Sequence, residues 1–109
     1  MKEVTSISEF EQILKDKSAV MAYFSHDNCN VCKVLKPKLS AALEEHYPQI
    51  EQIYVNVEHS PELAGQHSIF TVPVVVFYFD GQESLRKSRS FGVGELMDYL
   101  ERPYAIMFG

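Results

Sequence analysis

The N-terminal part of the chain alternates between helical and extended hydrophobic patterns. Ser6, followed three residues later by Glu9, forms a capping-box pattern. A second register of the same pattern starts at Ser8, and either one predicts the start of a short amphipathic helix. The apolar run at residues 19–25 is too short for most helices and is rich in aromatic and branched side chains. It predicts a strand that is buried on both faces.

Residues 30–47 show the repeat of a long helix, in which apolar side chains recur every three to four positions. Its predicted apolar stripe comprises Val31, Val34, Leu35, Leu39, Ala42 and Leu43. Pro37 lies inside this segment and predicts a kink, because proline removes a backbone donor and crowds the preceding turn. The alternation that follows, at residues 50–58, predicts a half-buried strand that ends near Glu58.

Turn and cap residues divide the second half of the chain. Ser60 and Pro61 predict the cap and first residue of a third helix, which Gly65 should keep short. A strand after residue 73, a two-residue turn at Asp80-Gly81 and a return strand through Phe91 make up a predicted hairpin.

The last predicted element is a helix. Gly92 and Gly94 mark a break before it, and Leu96, Met97 and Leu100 form its apolar face. Pro103 should stop this helix, because proline cannot donate to the helical ladder.

The predicted elements occur in the order helix, strand, helix, strand, helix, strand, strand, helix. Strand–helix–strand steps imply parallel neighbours joined by right-handed crossovers, and the final hairpin adds an antiparallel edge. The order therefore predicts an α/β fold. The chain has 109 residues, 46% of them hydrophobic, which suffices for one compact core. We expect residues 1–109 to form a single domain.

The charge balance narrows the possible partners. A net charge of -5 and a pI near 5.3 are opposite to the basic surface that nucleic-acid binding needs. The N-terminal residues lack the apolar core of a secretory signal, and no segment is long and apolar enough to cross a bilayer. We therefore expect a cytoplasmic protein, monomeric by default, that binds neither nucleic acid nor membrane.

The only two cysteines, Cys29 and Cys32, lie one helical turn apart. Three interpretations follow: a redox pair, a metal site, or two ordinary buried cysteines. In a reducing compartment two cysteines are more often catalytic, redox-sensing or metal-binding than structural. A metal site would use His26 in the array His-x-x-Cys-x-x-Cys and would need a further ligand, for example from a second subunit. A c-type haem motif is excluded because Lys33 follows the second cysteine.

The sequence resembles the thioredoxin family over nearly its whole length. The residues that carry the resemblance are the Cys29-Asn30-Val31-Cys32 motif after a buried strand, Lys33, Pro37, the Thr-Val-Pro segment that ends at Pro73, and Asp80-Gly81. The resemblance implies a thioredoxin fold, with a central mixed sheet of four to five strands flanked by helices on both faces. It also implies that the proline at the position of Pro73 is cis and packs against the cysteine pair.

Three departures from the family distinguish this chain. Classical thioredoxins have tryptophan before the first cysteine, whereas this chain has Asn28 there and no tryptophan anywhere. The buried acid that family members carry beneath the pair aligns with Tyr23, and its accompanying lysine aligns with Tyr54. A phenol titrates near pH ~10, so Tyr23 can orient a hydrogen bond but is a poor proton acceptor at neutral pH.

The motif predicts roles in thiol–disulfide exchange. Cys29 is expected to be the attacking nucleophile, because the start of a helix favours a thiolate, and Cys32 the resolving thiol. Between them, Asn30 can donate a hydrogen bond to a thiolate, whereas Val31 adds bulk. Lys33 and Lys36 follow on the helix and are expected to add positive potential near Cys29, which Asp27 opposes. The alternative is that these charges only form a solvated face.

The predicted substrates are proteins with disulfides, and the electrons would come from a reductase or a small thiol, with no bound cofactor. Pro73 is expected to hold the backbone of Val72 where an extended substrate strand can pair with it. The leading alternative is a thioredoxin-like adaptor or redox sensor whose disulfide changes affinity for a partner without turnover.

Overall fold

The computed structural model describes residues 1–88 and 91–109. Within these ranges five strands form one mixed sheet: β1 at Lys2–Glu3, β2 at Ala19–Ser25, β3 at Glu51–Asn56, β4 at Val74–Phe79 and β5 at Gln82–Ser88. Four helices accompany them: α1 at Ile7–Asp16, α2 at Cys32–His46, α3 at Pro61–Gln66 and α4 at Val93–Phe108. No helix in the described ranges is long and apolar enough to span a membrane.

The strand β2 lies at the centre of the sheet, whose order is β1-β3-β2-β4-β5. It pairs with β3 in parallel on one side and with β4 in the antiparallel sense on the other. The short strand β1 extends the sheet in parallel beyond β3, and β5 extends it in the antiparallel sense beyond β4. The predicted mixed α/β sheet is therefore confirmed.

Both faces of the sheet are covered by helices. On one face, side chains of α1 and α3 such as Phe10 and Leu63 pack with Ala22 and Phe24 of β2. On the other face, the leucines of α2 and α4 pack with the alternate β2 residues, which include Tyr23. All seven residues of β2 are consequently buried, as the uninterrupted apolar run predicts.

Two expectations about the strands are wrong. The step from β3 through α3 does not lead to a parallel neighbour, because β4 pairs antiparallel with β2 on the far side of the sheet. The strand β3 is also more than half-buried, since Tyr54 and Asn56 are covered on the face that we expected to be open. The two-residue strand β1 was too short to give a pattern.

The apolar stripe of α2 is narrower than the sequence predicts. Leu39 and Leu43 are fully buried, whereas Val31 and Val34 are 60% and 71% exposed. The helix begins at Cys32 rather than at residue 30. Both valines therefore lie on the surface near the cysteine pair instead of in the core.

The helix α4 continues past Pro103, where we expected it to stop, and ends at Phe108. An interior proline costs a helix about 3 kcal/mol. Aromatic packing beyond the proline offsets this cost, since the ring of Tyr104 lies 4.8 Å from that of Tyr47 and 4.7 Å from that of Phe108. The apolar tail is thus the last part of a helix that packs on the core.

The predicted hairpin is present. Asp80 and Gly81 have φ angles of 55° and 74°, which suit a two-residue turn with both residues left-handed. The return strand is shorter than expected, because β5 ends at Ser88 and Phe91 is not part of it. Residues 89–90, which the expected strand included, lie outside the described residues.

Replacement of Ser6 tests which capping register is used. The N–H of Glu9 donates a 3.1 Å hydrogen bond to Oγ of Ser6, which caps α1. Ser6→Ala should lower the free energy of unfolding by about 1 kcal/mol, measured by denaturant titration. Ser8→Ala, at an exposed site inside the same first turn, is the matched control and should change it by less than about 0.5 kcal/mol. Equal effects would contradict the assigned register.

A hydrogen bond between His59 and Glu3 ties β1 to the loop after β3. The two side chains meet at 3.0 Å, and this bond raises the pKa of His59. A histidine whose pKa is higher in the folded than in the unfolded protein stabilises the fold when it is protonated. This stabilisation is complete at pH values below the unfolded-state pKa of about 6.5, and it is lost as the pH rises through the folded-state pKa. Glu3→Gln should therefore reduce stability more at about pH 5.5 than at about pH 8. A loss that does not depend on pH would contradict this coupling.

Candidate active site

The site lies where the central strand leaves the sheet. The strand β2 ends at Ser25, and a tight loop leads from it to Cys29. The N–H of Asn28 donates to Nδ1 of His26 at 3.1 Å, and the N–H of Cys29 donates to the carbonyl of His26 at 3.3 Å. His26 therefore organises the loop, and its Nδ1 carries no proton in this arrangement.

The two cysteines are joined in a disulfide at the start of α2. Their Cα atoms are 5.4 Å apart, and Cys32 is the first residue of the helix. Cys29 precedes the helix, on the side of its unpaired N–H groups, where negative charge is favoured. Cys29 is 9% and Cys32 is 7% exposed, so exposure does not distinguish the two sulfurs.

Ser25 contacts the second cysteine directly. Its Oγ lies 2.8 Å from Sγ of Cys32, and Ser25 is only 1% exposed. The same hydroxyl lies 3.4 Å from the carbonyl of His26. This contact was not predicted from the sequence. The available signal was a single polar residue at the end of a buried strand, seven positions before Cys32.

The disulfide opens onto a cleft of about 250 Å³. The cleft is lined by Ser25, His26, Asp27, Cys29, Cys32, Lys33, Lys36, Pro37 and Tyr54. Lys33 thus lies beside the pair, as expected. Lys36 lies with its Nζ 3.8 Å from the centre of the Tyr54 ring, a cation–π contact that holds a second positive charge near the cleft.

Tyr23 is buried in the core beneath the pair. It belongs to the same apolar cluster as both cysteines, is fully covered, and its hydroxyl has no hydrogen-bond partner among the described residues. Burial, reinforced by the neighbouring Tyr54, raises the pKa of Tyr23 to about 12. Burial also raises the pKa of Tyr54. Both phenols are therefore protonated at neutral pH, and neither can accept a proton from a cysteine.

Asn56 connects the site loop to the end of β3. Its Nδ2 group donates to Asp27 at 3.4 Å, and its Oδ1 accepts the N–H groups of Glu58 and His59. The carbonyl of Ser25 accepts the N–H of Val57 at 2.8 Å. These bonds fix the loop that carries the cysteines to the neighbouring strand.

Val72 and Pro73 lie just before β4. The Val72–Pro73 peptide bond is cis, Pro73 is buried and Val72 is half-buried. Val72 lines a second groove of about 450 Å³ together with Ile69 and Phe70. His26 lines both this groove and the cysteine cleft, so the two depressions adjoin.

The remaining predicted site residues lie at the surface. Asn30 is exposed between the cysteines, and its carbonyl accepts the N–H of Lys33 at 3.3 Å. Val31 is exposed beside it. In the parts of the chain that the structure describes, no group of three or more His, Cys, Asp or Glu residues is arranged to hold a metal ion.

Comparison with known proteins identifies the family. The model of the family described as Thioredoxin matches residues 1–102. The chain is 34% identical to the thioredoxin-like protein YdfQ of Bacillus subtilis (strain 168), over 100% of this chain and 99% of YdfQ. It is 27% identical to a thioredoxin of Buchnera aphidicola, over 91% of this chain and 92% of that protein.

Solved structures agree with this result. The X-ray structure of Fasciola hepatica thioredoxin matches with a TM-score of 0.82 at 27% identity, covering 94% of this chain and 98% of that one. With a paired Cys29 and Cys32 at the start of a helix, the chain belongs to the thioredoxin family and is a thiol–disulfide oxidoreductase.

Proposed function

We propose that the enzyme reduces disulfides in other proteins, with Cys29 as attacking nucleophile and Cys32 as resolving thiol. The observation that carries this assignment is the position of the disulfide, with Cys29 before the N-terminus of α2 and Cys32 as its first residue. The unpaired N–H groups at the N-terminus of α2 favour a thiolate at Cys29, which precedes the helix.

The reaction has two exchange steps. First, the Cys29 thiolate attacks one sulfur of the substrate disulfide. A bond forms between Cys29 and that sulfur, and the other substrate sulfur leaves as a thiolate and takes up a proton. Second, the Cys32 thiolate attacks Sγ of Cys29. The intramolecular disulfide forms and the second substrate sulfur leaves, so the substrate gains two electrons and the enzyme pair loses two.

The charges around the cleft favour the thiolate form. Lys33 and Lys36 contribute positive charge and Asp27 contributes one negative charge. The contact with Tyr54 restrains Lys36 close to the cleft. Asn30 and Val31 lie between the cysteines at the surface, where they meet the substrate first.

The groove beside Val72 is the proposed binding site for the substrate chain. It adjoins the cysteine cleft through His26, and Phe70 at its edge is 89% exposed. A bound peptide can pair with the backbone of Val72 while its side chains cover Phe70. Backbone pairing tolerates many sequences, which suits an enzyme that acts on several proteins.

The oxidised enzyme must be returned to the dithiol by an external donor. We assign this role to a dithiol reductase or a low-molecular-weight thiol, which supplies two electrons and leaves as a disulfide. A reducing cytoplasm provides such donors. In this proposal the enzyme is a single-domain monomer of that compartment and uses no bound cofactor.

Single cysteine variants test the assignment of the two thiols. Cys32→Ser should accumulate a covalent mixed disulfide with a protein substrate, because the resolving thiol is absent. Cys29→Ser should neither turn over nor trap substrate. The measurement is the intact mass of the adduct under non-reducing conditions, before and after addition of a strong reductant. Adduct formation by Cys29→Ser alone would reverse the roles, and no adduct with either variant would contradict the mechanism.

Phe70 tests the proposed binding groove. Phe70→Ser removes an exposed aromatic ring and should raise KM for a protein disulfide roughly five- to tenfold, since burial of such a ring contributes about 1–1.4 kcal/mol on binding. The KM for a small aliphatic disulfide should stay unchanged. Ile106→Ser is the matched control, because Ile106 is 78% exposed on α4 and lines neither groove. Equal effects of the two variants would contradict the assignment of the groove.

A further inference from the structure

The buried hydroxyl of Ser25 lies within hydrogen-bond distance of the second sulfur. Ser25 Oγ lies 2.8 Å from Sγ of Cys32, within hydrogen-bond range, and both residues are nearly inaccessible to water. A hydroxyl has one hydrogen to donate and two acceptor sites. The acceptors within its reach are the Cys32 sulfur and, at 3.4 Å, the carbonyl of His26.

The direction of this hydrogen bond changes with the state of the sulfur. In the disulfide, Sγ is a weak acceptor. In the protonated thiol, the S–H group of Cys32 can donate to Oγ while the Ser25 O–H donates to the His26 carbonyl. In the thiolate, the sulfur is charged, and the Ser25 O–H turns to donate to it. A hydrogen bond to a charged group is about twice as strong as a neutral one, so the contact favours the thiolate most.

Among the described residues around Cys32, no other group provides a proton acceptor in the core. The titratable and charged residues that face it are His26, Asp27, Cys29, Lys33, Lys36 and Tyr54 along the cleft, and Tyr23 from β2. The strand β4 and the helix α4 contribute apolar side chains to the same cluster. Asp27 is exposed on the loop and accepts from Asn56, and the two tyrosines stay protonated.

We propose that Ser25 is a catalytic residue that stabilises the Cys32 thiolate by donating a hydrogen bond to its sulfur. The inference rests on the proposed dithiol mechanism and deepens it. When Cys32 resolves the mixed disulfide, its proton passes through the water of the cleft to the departing substrate thiolate. The Ser25 O–H then donates to the sulfur that has become negative, until the new bond to Cys29 forms.

The same contact directs the reverse step. When a reducing thiolate attacks the oxidised pair, the attacked sulfur forms the new bond and the other sulfur leaves as a thiolate. A thiolate that is better stabilised leaves faster. Because Ser25 donates to Cys32, attack on Cys29 is favoured, although the two sulfurs are similarly covered.

The first measurement is the ionisation of Cys32 in a Cys29→Ser background, where Cys32 is the only cysteine. The ultraviolet absorbance of the thiolate is followed against pH. Adding Ser25→Ala should move the midpoint to higher pH by roughly one unit, the shift that corresponds to a tenfold change in equilibrium. Ser25→Thr keeps the hydroxyl and should restore the midpoint. Ser25→Val has nearly the shape of threonine without the hydroxyl and should behave as Ser25→Ala does.

The second measurement is turnover of a protein disulfide with both cysteines present. Ser25→Ala and Ser25→Val should lower kcat about tenfold at neutral pH, with KM unchanged, and Ser25→Thr should retain activity. Ser60→Ala is the matched control, because Ser60 is a buried serine, 3% exposed, whose hydroxyl bonds to the Thr5 carbonyl. Ser60→Ala should leave the Cys32 midpoint of the Cys29→Ser protein unchanged, and it should leave kcat of the wild type unchanged.

The outcomes separate the two proposals. If the wild type turns over but the threonine and valine variants have the same Cys32 midpoint, the role of Ser25 is overturned and the proposed function is not. No turnover by the wild type would overturn the proposed function itself, whatever the titration gives. The threonine and valine pair also separates loss of the hydroxyl from loss of packing, since both variants fill the site to the same extent.

Discussion

The burial of β2 is the constraint on which the rest of the structure depends. This strand pairs on both sides and is covered by helices on both faces, so its seven residues have no freedom to shift. A shift of one residue would exchange its two faces and bury the wrong set. The end of β2 is therefore a fixed point. A short loop leads from it to Cys29 at the start of α2, and the Ser25 hydroxyl contacts the sulfur of Cys32.

The environment of the cysteine pair combines three physical effects. The N-terminus of α2 and two lysines favour negative charge at the surface side of the pair. Burial opposes charge on the inner side, where Tyr23 remains a neutral phenol with its pKa raised to about 12. The Ser25 hydroxyl supplies a dipole at the sulfur of Cys32 without introducing a second charge. This arrangement stabilises a thiolate while it leaves no buried carboxylate whose own ionisation would need compensation.

The sequence predicts those parts of the fold that depend on local patterns. Three such features depend only on residues that are close together in the sequence, and they are confirmed: the buried run of β2, the cap at Ser6 and the turn at Asp80. The continuation of α4 past Pro103 was missed because tertiary aromatic contacts outweigh a local preference. The predicted parallel orientation of β4 is wrong because the direction in which a strand pairs depends on contacts between distant segments.

The candidate site divides in the same way. Sequence pattern and family resemblance located Cys29, Cys32 and Lys33, since they lie in one short segment. They did not reveal the contact of Ser25 with Cys32 or that of Lys36 with Tyr54, because each requires two elements to be placed in space.

Reversible two-electron exchange at the pair is measured most directly by equilibrating the protein with thiol–disulfide buffers of graded potential and counting free thiols by mass. We expect one transition between zero and two thiols within about -270 to -200 mV, the span of thioredoxins and glutaredoxins. A thiol count that stays constant across the whole series would contradict a redox role for Cys29 and Cys32.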